Sequence, residues 1–107
     1  MEFAPLLNDT KWNELREAMI SLDDLSPLYR TRSLENGYES QWDGEWAHHL
    51  YCDGYDYIEW IEIKTESTDQ ERAVREKLSI IHVPGEKTDE GFKVYGHAPI
   101  GKTLSWL

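Results

Sequence analysis

Between residues 11 and 22 the apolar side chains Trp12, Leu15, Met19 and Leu22 recur at spacings of three, four and three, with polar residues between them. That period predicts a helix with a single apolar stripe. Asn8, Asp9 and Thr10 offer capping side chains in front of it, Glu14 and Glu17 lie toward the positive end of its dipole, and Asp23-Asp24 with Ser26-Pro27 stop it. A second helix is predicted from Thr68-Asp69-Gln70-Glu71, a capping-box pattern in which Thr68 accepts from the third helical N–H and Glu71 reaches back to the cap. Val74, Leu78 and Ile81 form its apolar face, with Ala73 and Ile80 beside them, and Pro84-Gly85 ends it.

Between the two helices the texture changes to short runs rich in Tyr, Trp and Ile, separated by Asn36-Gly37, Asp43-Gly44 and Asp53-Gly54. Asn or Asp followed by Gly tolerates the positive φ angles of a type I′ hairpin turn, so three such dipeptides predict a four-stranded meander. Its strands fall near residues 28–34, 38–42, 45–52 and 55–64. In the last of these, Tyr57, Ile61 and Ile63 share one face while Ile58 and Trp60 share the other, the pattern of a strand covered on both sides. Phe92, Val94 and Tyr95 predict a fifth strand, 99–101 a turn, and 103–107 a sixth strand. The fold class is therefore α+β: an antiparallel meander of four to six strands with two helices packed on it, in the order α-β-β-β-β-α-β-β. No repeat or linker divides the chain, which gives one domain over residues 1–107.

Charge changes this picture from a fold to a site. The 21 Asp and Glu against 11 Lys and Arg give a formal net charge of −10. Residues 1–32, 33–63 and 64–107 carry −2, −8 and 0, so the excess sits in the meander, which has no Lys or Arg between residues 33 and 63. Such a balance disfavours nucleic acid, whose affinity comes from Lys and Arg displacing counterions, and anionic membrane surfaces, and it favours a basic partner. No apolar run reaches the length of a membrane helix, the start lacks the basic region of a signal peptide, and the single cysteine, Cys52, forms no internal disulfide, all of which fits a cytoplasmic protein.

Candidate chemistry is sparse. His48, His49, Cys52 and Asp53 contain metal-ligand types, but adjacent residues of a strand point to opposite faces, leaving only His48 on the face of Cys52. The seven glycines fall singly at turns and form no phosphate loop, so neither cofactor nor metal is expected and a metal-dependent enzyme is the least favoured class. The acids of the meander alternate with aromatic rings instead, and rings dominate interface hot spots while a one-signed field steers the opposite charge. Glu39, Asp43, Glu45, Asp53, Asp56 and Glu59 are the candidate partner-binding charges, and Trp42, Trp46 and Tyr55 the candidate anchors. Trp42-Asp43-Gly44-Glu45-Trp46 would place two large rings at one hairpin tip.

Asn8-Asp9-Thr10-Lys11-Trp12, Tyr29-Arg30-Thr31-Arg32, Glu35-Asn36-Gly37-Tyr38, Trp42-Asp43-Gly44-Glu45-Trp46, Ile58-Glu59-Trp60 and Ile81-His82-Val83-Pro84-Gly85 together resemble a family of small bacterial single-domain proteins of unknown function. The resemblance implies a bacterial source and a single domain, and carries no activity to any position. In character the chain is similar to toxin-immunity proteins. The functional expectation is accordingly an immunity protein whose acidic, aromatic surface occupies the basic cleft of a cognate toxin, a nuclease being the favoured target. A carbohydrate or small-ligand module using exposed Trp and Tyr rings is the alternative.

Overall fold

The computed structural model describes residues 3–51, 54–101 and 103–107. Its order is β1 (Phe3–Pro5), α1 (Asp9–Ile20), a 3-10 turn (Asp23–Leu25), β2 (Leu28–Ser33), β3 (Ile58–Lys64), α2 (Thr68–Ile81), β4 (Gly85–Lys87), β5 (Gly91–Tyr95) and β6 (His97–Pro99). β2, β3, β5 and β4 form one antiparallel sheet in that spatial order, while β1 and β6 pair separately. The α+β class read from the sequence holds, with two helices and six short strands among the described residues.

Both helices form where their apolar periods placed them. Asn8 caps α1 by accepting from the Lys11 N–H at 2.8 Å, which starts the helix at Asp9 rather than Lys11. The cap of α2 is Ser67 rather than Thr68: its hydroxyl accepts from the Gln70 N–H, and the Gln70 amide oxygen accepts from the Glu66 N–H at 2.7 Å. Reciprocal capping thus occurs one residue earlier than expected, with Gln70 in the place given to Glu71. Lys11 near the start of α1 donates to the Ile81 carbonyl at the end of α2, and Gln70 near the start of α2 donates to Leu25 just beyond α1, so the helices run antiparallel. Among the described residues no helix is long and apolar enough to cross a membrane.

Trp12, Leu15 and Met19 from α1 and Val74, Leu78 and Ile81 from α2 pack on Tyr29, Ile61, Ile63, Phe92 and Val94 of the sheet. β3 departs from strict alternation. Arg32 pairs with Trp60 but Ser33 pairs with Ile58, leaving Glu59 as an extra residue. This bulge turns Ile58 onto the same core as Ile61 and Ile63, instead of onto the face of Trp60. Gly96 crosses beside it, donating to the Glu59 carbonyl at 2.8 Å, and a Cβ there would lie 2.5 Å from the Ile58 carbonyl and 2.6 Å from the Trp12 ring.

The sheet's other face is tiled with charges and rings. Glu62, 5% exposed, accepts from Arg30 Nε (3.0 Å) and Nη2 (2.8 Å) and from the Thr88 hydroxyl (3.0 Å), while the Lys93 ammonium lies 4.3 Å from the centre of the Trp60 ring. A carboxylate so fully hydrogen-bonded can be buried without the cost of an unpaired charge.

Three expected strands are missing among the described residues. Residues 38–43 return along β2, but only as bridges from Arg32 to Glu39 and from Tyr29 to Asp43, because the Ser40 hydroxyl takes the Thr31 N–H at 3.0 Å and breaks the ladder between them. Residues 46–51 form turns, with Trp46 and Leu50, four apart, both buried. Nor do residues 103–107 form a strand beyond one bridge between Pro84 and Trp106; the sixth strand is His97–Pro99.

Candidate functional site

The 34–57 connection joins β2 to β3, and its described residues form no helix or strand of their own. Connections longer than about 12–15 residues are uncommon in compact domains and are frequently functional. This one holds every candidate partner-binding residue except Glu59, which follows it in β3.

Three rings and one aliphatic group anchor the connection. Trp46 is 2% exposed, donates from Nε1 to the Pro27 carbonyl at 2.8 Å and packs on Tyr29 at 4.4 Å between ring centres. Tyr55, also 2% exposed, stacks on Trp12 at 5.4 Å, and its hydroxyl donates to Asn13 Oδ1 at 2.6 Å. Leu50 is buried with them. In this conformation Trp46 and Tyr55 offer a partner no contact area: they are core residues. Trp42 is half-buried at the sheet face, where the Arg30 guanidinium (4.7 Å) and the Lys64 ammonium (5.4 Å) lie over its ring. Asp43-Gly44 makes no type I′ hairpin, since Gly44 is not among the residues of positive φ. Asp43 Oδ1 instead accepts from the Glu45 N–H at 2.8 Å. Trp42 and Trp46 therefore end in different environments rather than at one tip.

The carboxylates are largely committed within the molecule. Glu39 accepts from Arg32 at 2.9 Å and Glu59 from the same guanidinium at 3.3 Å. Glu45 accepts from three successive backbone N–H groups, those of Ala47, His48 and His49, at 2.8–3.1 Å. The bonds from His49 and His48 hold its carboxyl below the usual range. Asp43 accepts from, or shares a proton with, His49 Nδ1 at 2.8 Å. Burial raises the Asp43 carboxyl, but the Glu45 N–H and the His49 ring outweigh it and leave it lowered. The His49 ring is raised by its bond to Asp43 and by that carboxylate's charge. Asp56 is exposed and lines an open cleft of about 710 Å³ formed with residues 5–10. Asp53, like Cys52, lies outside the described residues; His48 and His49 are exposed, and among the described residues no three His, Cys, Asp or Glu groups converge to hold a metal.

Sequence reasoning missed the residues that organise this surface. Arg16 of α1 donates from Nε to the Tyr55 hydroxyl at 3.2 Å and from Nη1 to the Ala47 carbonyl at 2.9 Å, with its guanidinium 5.9 Å from the Tyr51 ring centre. Arg30 and Arg32 of β2 neutralise Glu62, Glu59 and Glu39. The alternation of Arg30 and Arg32 beside an acid-rich strand was the available signal, because alternate residues share a sheet face and opposite charges pair across it. Within the described part of the 34–57 segment, the rings left in solvent are Tyr38, 65% exposed, and Tyr51, 51% exposed. The Tyr51 ring packs on Tyr55, with ring centres 5.0 Å apart.

Helices on one sheet face, a charged ring-bearing opposite face and a long polar connection define a small α+β domain whose irregular segment is fixed by its own side chains together with Asn13, Arg16, Pro27 and Arg32 outside it. The chain belongs to the family of unknown function DUF6678, whose model matches residues 1–101. No curated protein and no solved structure matches it.

Proposed function

We propose that this protein is an immunity protein that binds and neutralises a basic toxin domain, with a nuclease as the favoured target, through the 34–57 connection. The observation that carries the proposal is the pre-positioned Tyr51 ring on a segment without Lys or Arg: half of it meets solvent while Tyr55 and Arg16 fix it from behind. A ring held in this way presents contact area at little entropic cost, the property of interface hot spots. Glu35, Asp56 and the second ring, Tyr38, are exposed on the same segment. A nuclease cleft attracts polyphosphate, so carboxylates presented to it compete with substrate and speed association at low salt. Glu39, Asp43, Glu45 and Glu59 support this surface by shaping it, and Trp46 and Tyr55 by holding it to the core.

The test pairs genome and bench. A secreted protein with a variable C-terminal domain is expected to be encoded beside this gene, and co-production of that domain with this protein is expected to abolish its toxicity. Tyr51→Ala is expected to weaken the complex by about 2 kcal/mol, and Glu35→Gln with Asp56→Asn to slow association at low salt only. Undiminished toxicity, or binding of a sugar with no dependence on salt, would overturn the proposal.

A further inference from the structure

The outer edge of β4 is filled from within the chain. Residues 105–107 run antiparallel to 83–85: Gly85 donates to the Ser105 carbonyl at 3.0 Å and Leu107 donates to the Val83 carbonyl at 2.9 Å, on either side of the bridge between Pro84 and Trp106. Leu107 packs against the core, and the half-exposed Trp106 ring lies on His82 with ring centres 4.9 Å apart and planes 20° from parallel. His82 is fixed there by ending α2 in the left-handed region, at φ +62°. Gly85 allows the close approach, since a Cβ on it would lie 2.3 Å from the Lys93 carbonyl and 3.0 Å from Leu107. The edge therefore reads backbone, an aromatic ring and an aliphatic side chain.

Its occupant stops short. Past Gly85, Glu86 and Lys87 pair with β5 on one side, and among the described residues no strand lies on the other. Continuing the register of Gly85 with Ser105 would set a residue at position 104 opposite Glu86. Glu86 is exposed opposite that position, its carboxylate accepting from the Tyr95 hydroxyl, while the Lys87 ammonium is engaged by Glu71 at 3.2 Å. An open sheet edge templates another strand, and a carboxylate beside it selects a basic one. We infer that the 83–87 edge is a strand-acceptor site for an extended segment of a basic partner protein, of pattern basic–any–aromatic–aliphatic, with residues 105–107 as its built-in competitor. The site uses none of the 34–57 surface, so either proposal can fail alone.

The test uses the 107-residue chain carrying Trp106→Ser and Leu107→Ser, which empties the edge, and two probes, the peptides Thr-Lys-Ser-Trp-Leu and Thr-Glu-Ser-Trp-Leu. Amide NMR is expected to show the Lys peptide shifting Val83, Gly85 and Lys87, with binding to the variant about tenfold tighter than to the natural chain, whose own segment competes at high effective concentration. At low salt the Lys peptide should bind about fivefold tighter than the Glu peptide, and the gap should close at high salt. A folded variant whose 83–87 amides stay unmoved overturns the site, and equal binding of the two peptides overturns the basic partner. A dimer of the natural chain that the variant cannot form would assign the edge to a second copy and overturn the partner as well. Should the double variant lose its fold, Trp106→Ser alone carries the same test.

Discussion

The sheet with its two helices and the 34–57 connection are held by different means. In the first, backbone pairs with backbone, and Trp12, Leu15, Met19, Val74, Leu78, Ile61 and Ile63 recur at the period of their element. In the second, isolated backbone bridges are supplemented by side chains that bond the backbone: Asn36 accepts from the Tyr38 N–H, Ser40 from Thr31, Asp43 from Glu45, and Glu45 from residues 47–49. An acidic run in a sequence can thus be internal scaffolding. Of the seven described carboxylates between residues 33 and 63, five are engaged inside the molecule, Asp43 and Glu45 by backbone N–H groups and Glu39, Glu59 and Glu62 by Arg32 and Arg30, and what faces outward is a smaller set of rings and carboxylates than the charge count suggests.

If the two regions are separable, the heaviest substitutions should separate them. Trp12→Ala removes a buried ring between α1, Tyr55 and Gly96 and is expected to cost about 3–5 kcal/mol, lowering the thermal midpoint of the whole chain. Trp46→Ala removes a ring as deeply buried and also leaves the Pro27 carbonyl without its donor; its cost should approach about 3 kcal/mol. Its effect is expected to be local. Hydrogen exchange should accelerate across residues 34–57 while β3 and α2 keep their protection. A uniform loss of protection, reaching Leu78 and Ile61, would break the comparison and make the connection part of one cooperative unit.

The same division explains what the sequence discloses. α1 and α2 are legible because their apolar stripes are long enough to show a 3.6-residue period, and β2 and β3 because β-branched and aromatic residues recur in short runs. Residues 38–42 carry the same alternation, yet the Ser40 hydroxyl competes for the Thr31 N–H, and one side-chain oxygen suffices to replace a ladder with bridges. Residues 45–51 were legible in another way: an acid followed by Trp46 and Leu50 four apart is the pattern of a capped helical turn, which alternation masks. The Glu59 bulge and the β1–β6 pairing leave no local signal, the first because it depends on register and the second because its partners are short and far apart in the chain. Among the site residues, composition locates the segment, but burial of Trp46 and Tyr55 depends on Pro27, Asn13 and Arg16, none of which lies within it.

Arg16 is the tie between the regions, and removing it should produce a smaller, directional effect. Arg16→Met keeps the helix and its apolar stem but cuts the bonds to Tyr55 and Ala47, at a cost of about 1–2 kcal/mol. Exchange is expected to rise at 47–51 and Tyr51 to gain rotational freedom, with α1 itself unaffected. Arg16→Lys should not restore the tie, because a single ammonium cannot span both acceptors as the guanidinium fork does. Full protection of 47–51 in Arg16→Met would show that Leu50 and Trp46 hold the turn without it.

The smallest effect lies in the Asp43–His49 pair and depends on pH. Bonding to Asp43 raises the His49 ring above its usual value near 6.5, so its contribution is complete below that value and fades as pH rises through the folded pKa. Asp43 and Glu45 are lowered from 3.8 and 4.5, so theirs are present above those values and fade as pH falls through the lower folded ones. The turn is therefore tightest in the weakly acidic window between the carboxylate and imidazole titrations, and loosens toward alkaline pH. His49 is 62% exposed, so solvent screens the pair and the loosening stays confined to the turn. NMR titration of the ring should give a pKa above 6.5 that moves down in Asp43→Asn, and exchange at 45–49, corrected for its intrinsic pH dependence, should rise between pH 6 and 8 in the natural chain but not in His49→Gln. A ring that titrates identically with and without the Asp43 carboxylate would mean that Glu45 alone closes the turn.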